Sequence, residues 1–193
     1  MIDIETLSIK DNAVIASVAA VFFNPYDGKI GKTYNQTICT ALSHIDGFET
    51  DQATLDWWLK QDQSIQDLTL YGTAKPQEVM LHLKDFIKQN ADPKNLKVWA
   101  NSPSFDLVKL RNHFDRYEMT TPWQYYNERD VRTLKNLFKD NNITGLEPDQ
   151  SKNEHNALSD CLNQVKMVSQ THWVMKNLVK DAQTLTEKLE ANA

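Results

Sequence analysis

From Asn12 to Phe23 the chain is almost unbroken in apolar side chains, with Val14, Ile15, Val18, Val21, Phe22 and Phe23 giving β-branched and aromatic character. Such a run has no polar face to offer water, and it reads as a strand buried at the centre of a sheet. The flanking segments then fall into place. Asn24-Pro25-Tyr26-Asp27-Gly28 is a turn, and Ile30 to Cys39 is a third, more polar strand returning as a hairpin. On the other side, Met1-Ile2-Asp3-Ile4-Glu5 alternates apolar and acidic residues. On a strand that period sends Asp3 and Glu5 to one face and the two isoleucines to the other. A three-stranded meander therefore opens the domain, with the acidic strand first.

Helices and further strands follow. Thr54 to Gln61 reads as a short helix carrying Trp57 and Trp58. Pro76 to Asn90 is a clearer one, with Pro76 in the first turn and Val79, Met80, Leu83, Phe86 and Ile87 forming its stripe. Leu96 to Ala100 is a short buried strand, and Asn101-Ser102-Pro103 supplies a cap and first-turn proline for the next helix. Trp123 to Asn127 fits another strand, and Asp130 stands where it would cap a helix from Val131 to Lys139. After the loop Asn141 to Lys152, a helical stripe runs from Leu158 through Val168, Met175 and Leu185 to Leu189. One helix of that length would exceed the width of a small domain. A break near Ser169-Gln170-Thr171 is expected, dividing a domain of residues 1–168 from a terminal helix, 169–193, that packs back or reaches a partner. The element order is that of an α/β fold, a mixed sheet flanked by helices.

Two like charges on one face of a central strand are costly unless a cation lies between them. A divalent ion between Asp3 and Glu5 meets that need; an acidic surface strand is the other reading. The chain has 193 residues and a net charge of -5, which fits one ordinary domain and argues against a sequence-blind nucleic-acid coat protein. Cys39 and Cys161 have no metal or disulfide-framework spacing, so a reducing compartment is expected. No membrane-spanning run and no secretion signal is visible, which points to the cytoplasm.

Further acids complete a pattern. Asp106 follows a strand in Trp99-Ala100-Asn101-Ser102-Pro103-Ser104-Phe105-Asp106, and a His-x-Ala-x-x-Asp sits at His155-Asn156-Ala157-Leu158-Ser159-Asp160. With the opening Asp-x-Glu, these resemble the three motifs of the DEDDh 3′–5′ exonuclease superfamily. Asp3-Ile4-Glu5-Thr6-Leu7, Trp57-Trp58-Leu59-Lys60-Gln61 and Asn127-Glu128-Arg129-Asp130-Val131-Arg132-Thr133 resemble, more narrowly, the small phage and bacterial exonucleases related to phage exonuclease A. The likeness runs from Met1 to about Val168. Two features depart from it. Relatives usually have several residues before the Asp-x-Glu, so the first strand here is short or residues before Met1 are missing. Ser8 also stands where many relatives have glycine.

The resemblance implies a ribonuclease H-like fold, with the antiparallel meander joined by parallel strands and a C-terminal helical extension. It implies two Mg²⁺ or Mn²⁺ ions, which suit hard oxygen ligands. Asp3 would bridge both ions, Glu5 and Asp160 would help hold the one carrying the attacking water, and Asp106 would reach the second. His155 would take a proton, its ordinary pKa lying near working pH. It is expected just before or within the first helical turn, with Asp160 on the helix. The implied substrate is the 3′ end of a single strand, with DNA favoured and an exoribonuclease of the same chemistry as the alternative, and a homodimer is permitted by the terminal helix. Substrate contacts are expected from Thr6, Leu7, Trp57, Trp58, Asn101, Ser104, Phe105 and Arg129, with Arg132 a further candidate for phosphate. Of the adjacent tryptophans, one is expected in the core and the other exposed. A catalytically silent relative that binds nucleic acid or a protein through its tail is the competing reading.

Overall fold

A computed structural model describes residues 1–143 and 155–191. Strand β1 (Ile2–Thr6), β2 (Ile15–Phe23) and β3 (Ile30–Thr37) form an antiparallel sheet in that order. β2 is its centre, and it is buried from Ile15 to Val21, as a strand with a single polar side chain, Ser17, must be. Helices α1 (Thr40–Ile45), α2 (Gln52–Trp58), α3 (Gln63–Thr69) and α4 (Pro76–Asn90) come next. β4 (Val98–Ala100) leads into α5 (Asp106–Arg116) and pairs in parallel with β5 (Glu128–Asp130), which leads into α6 (Val131–Asp140). β4 runs close beside β1. α7 (Ala157–Ala191) closes the described chain.

The isoleucines of β1 enter the largest apolar cluster, with Ile15, Val18, Met80, Leu83, Leu107, Leu110 and Phe114. This cluster joins the sheet to α4 and α5. A second cluster seats α7 on the other face of the sheet through Ala157, Cys161, Val165 and Val168 against Ala19 and Val21. The first strand thus lies between two helical layers, and its acidic face is turned toward α7.

Three expectations about elements need correction, and two short helices are additional. The segment Asn101 to Phe105 is a turn, not the start of a helix: Ser102 has φ 112°, its carbonyl accepts from the N–H groups of Phe105 and Asp106, and α5 begins only at Asp106. Trp123 to Asn127 is not a strand. A single 3-10 turn spans Tyr125–Asn127, and the strand is the next three residues. α7 passes through Ser169-Gln170-Thr171 without a break, and most of its described residues after His172 are exposed. α1 and α3, each of 6 or 7 residues, have no counterpart in the sequence reading. Most of the loop Asn141 to Lys152 lies outside the described residues.

Candidate functional site

β1 presents Asp3 and Glu5 to a space left by small residues. Across the β1–β2 ladder Asp3 faces Ala19 and Glu5 faces Ser17, so no bulky neighbour competes with either carboxylate. The register slips between Glu5 and Thr6, a bulge that ends the pairing beside the acids. α7 then brings Asp160, in its first turn, over this strand. Carboxylate oxygens of Asp3, Glu5 and Asp160 lie within 4.8 Å of one another. Asp106, the first residue of α5, lines the same cleft together with His155, Arg132, Asn101, Ser102, Ser104 and Phe105.

Burial and mutual repulsion act together on the acids. Asp3 is pushed well above the usual carboxylate range by desolvation, then by the charges of Asp106, Glu5 and Asp160; a hydrogen bond from Gln164 opposes this. Glu5 is raised to about 8 by burial and by Asp160 and Asp106. Asp106 is raised to about 7 by burial, against hydrogen bonds from backbone N–H groups and the charges of Lys109 and Arg132. Carboxylates in this state favour protons or a cation over standing charged together. The donor set is all hard oxygen, with no thiolate, so it fits Mg²⁺ or Mn²⁺.

His155 stands two residues before α7, as expected, with φ 68°. Its N–H donates to Asp160 Oδ2 at 3.1 Å, and its carbonyl accepts from Thr69 Oγ1 at 3.3 Å. The imidazole meets the Trp57 ring edge-on at 4.6 Å. A side chain already in the motif therefore orients the backbone of another, and α3, unseen in sequence, braces the pair.

Gln164 is the residue that sequence reading missed. One turn beyond Asp160 on α7, it donates through Nε2 to Asp3 Oδ1 at 2.7 Å and is itself buried. Among the described residues its Oε1 has no hydrogen-bond partner. The signal was available: Asp160 and Gln164 are four apart, hence neighbours on one helix face.

The expected substrate contacts divide. Asn101, Ser104 and Phe105 line the acidic cleft. An adjoining hollow is formed by Thr6, Trp57, Trp58, Ile9 and Phe105, and it shares Ile4 and Glu5 with the cleft. Trp57 is exposed, whereas Trp58 is buried and donates through Nε1 to the Thr6 carbonyl at 2.9 Å. Leu7 packs in the core with Val14, Phe48 and Trp58 and does not line either hollow. Arg129 bonds the carbonyls of Tyr126 and Glu128 and stays outside the cleft; Arg132, one helical start further on, is the arginine that lines it. Lys109 lies 3.3 Å over the Phe105 ring and fixes that ring between the two hollows.

With this α/β architecture, the family comparison makes the chain a 3′–5′ exonuclease domain. The chain belongs, more particularly, to the family described as the 3′-5′ exoribonuclease Rv2179c-like domain, whose profile matches residues 1–172. Comparison with curated proteins finds no match. Among solved structures, the chain is similar to E. coli exonuclease I. It resembles the zinc-bound single-stranded DNA complex with a TM-score of 0.67 at 14% identity, over 98% of this chain and 44% of that one. The complex with a dT13 oligonucleotide gives 0.67 at 14%, over 93% and 42%. A further exonuclease I structure gives 0.58 at 16%, over 87% and 39%. The present chain thus spans less than half the length of exonuclease I, and the likeness is one of fold.

Proposed function

We propose that this protein is a divalent-metal-dependent 3′–5′ exonuclease acting on single-stranded nucleic acid and releasing nucleoside 5′-monophosphates. The observation that carries the reading is the convergence of Asp3 and Glu5 with Asp160, from opposite ends of the sequence, in a cleft that also holds Asp106 and His155. Two Mg²⁺ or Mn²⁺ ions would supply activation of the attacking water and neutralisation of charge at the phosphate and leaving oxygen. Asp3, Glu5, Asp106 and Asp160 would hold them. His155 accepts the proton of the attacking water, and the hydrogen bond from its backbone to Asp160 keeps it at the cleft edge. Arg132, at the cleft wall, offers a cation to the phosphate. The exposed ring of Trp57, with Phe105 and Thr6, offers a surface for the terminal base and sugar.

The family description speaks for RNA as substrate and covers nearly the whole domain. The exonuclease I complexes hold DNA, and they are alike in fold only. RNA is therefore the reading to set against the DNA expected from phage exonuclease A. A 5′-labelled oligonucleotide in both chemistries, with Mg²⁺ or Mn²⁺, is the test. A ladder of single-nucleotide steps, lost in Asp160→Ala, is expected, and the faster of the two substrates identifies the sugar. No ladder on either strand, or full activity in Asp160→Ala, would overturn the assignment.

A further inference from the structure

α7 carries one apolar stripe along its length, but the domain covers only its first part. Val168 and Thr171 on that stripe are buried. Its continuation at Met175, Leu178, Ala182 and Leu185 keeps the same alternation of three and four residues and is exposed, with Leu178 50% and Leu185 59% accessible. Val179 widens the stripe on one flank and is also exposed. From Trp173 to Ala191 the helix runs for about 28 Å at 1.5 Å per residue. Most helical stability in proteins comes from packing an apolar face, and an alternation of three and four is the seam of a two-stranded coil.

We infer that the exposed part of α7 pairs with the same segment of a second copy, antiparallel, to make a homodimer. The charges beside the seam select this occupant. Asp181 and Lys188 are one heptad apart on the same flank, and both are exposed. When Ala182 of one chain is layered on Leu185 of the other, Asp181 comes opposite Lys188 of the second copy. The twofold axis repeats the pair in reverse, so the surface is complementary to itself. On the other flank, Val179 meets Thr186 of the second copy, with no like charges opposed. The catalytic cleft, at the opposite end of α7, stays open. This inference is independent of the nuclease reading, because its test measures mass and not turnover.

Sedimentation velocity and light scattering on the full chain decide it. The wild type is expected to be dimeric, and Leu178→Glu with Leu185→Glu to be monomeric with an unchanged cleft. Asp181→Lys and Lys188→Asp should each weaken the dimer roughly tenfold, since each opposes like charges twice. The double exchange, Asp181→Lys with Lys188→Asp, should restore it to within about twofold by the same pairing rule. A wild type monomeric at ~100 µM, far above the Kd of a specific dimer, would overturn the inference. So would a double exchange no better than the single ones, or a dimer that survives both glutamates.

Discussion

Gln164 shows how a single amide can govern the position of an acid. Asp3 is the most crowded of the carboxylates, and among the described residues the hydrogen bond that lowers its pKa comes from this side chain. Removing the donor leaves Asp3 free to turn away from Glu5 and Asp160. Partners that orient metal ligands are worth about 10–100-fold in affinity or activity. Gln164→Leu should therefore lower turnover by about that factor and raise the Mn²⁺ concentration needed for half-maximal rate. Its thermal transition in EDTA should stay near that of the wild type; a metal titration beside a melting curve checks both. His113 gives a second prediction, remote from the cleft. It is buried, stacked on Phe48 at 3.6 Å, and its Nε2 lies 3.0 Å from the Ala13 carbonyl, so the neutral ring with Nε2–H donating satisfies that contact. Burial depresses its pKa to about 4, against raising effects from the Ala13 bond and Asp46. Below the unfolded value of about 6.5 the unfolded chain takes up a proton that the folded chain refuses. Stability from this group is thus complete above pH 6.5 and lost as pH falls toward 4, by about 3 kcal/mol in all. Urea titrations from pH 7 to 4 should show a slope shallower by about one proton in His113→Gln than in the wild type.

At the level of elements, the junction of β5 and α6 sets the arginine of the cleft. Asp130 accepts from the Arg132 N–H at 3.0 Å and from Thr133 Oγ1 at 2.6 Å, capping the helix whose first turn carries Arg132. Loss of such a cap costs about 1 kcal/mol. Asp130→Ala should lose about that much in urea unfolding and should raise KM for oligonucleotides more than it lowers kcat. This cap was legible in sequence, as were β1, β2 and α4, because each carries its own period or punctuation. The nearly all-apolar run could only be a central strand, and the acidic alternation before it could only turn one way. The elements that escaped are those whose form depends on distant partners. α1 and α3 are too short for a helical stripe to appear. Asn101-Ser102-Pro103 has the letters of a helix cap, but the turn must place Asp106 against β1, and it does so through a left-handed Ser102. Leu7 follows the acids in sequence, yet beyond the bulge it falls into the core instead of the cleft. The uninterrupted α7 also has a physical reason: nothing between Ala157 and Ala191 is a glycine or proline.

For the whole molecule, the acids join the first strand, the middle of the chain and the last helix, so a bound cation would tie together the full topology. Without one, the folded state must bring mutually repelling, desolvated carboxylates into contact. The raised pKa values of Glu5 and Asp106 express that cost. An ion held only by the folded chain stabilises it by mass action, about 2.7 kcal/mol at a hundredfold excess over its Kd. For a chain of this size that corresponds to a rise in Tm of about 5–10 °C. Mn²⁺ added to metal-free protein should produce it. Asp160→Asn relieves one charge of the cluster and removes one ligand together. In EDTA it should melt no lower than the wild type, and it should gain little from Mn²⁺. The two halves of that result must occur together: a variant destabilised without metal means that Asp160 holds the fold by other contacts. A variant that still responds fully to Mn²⁺ means that the stabilising ion binds away from the acidic cleft.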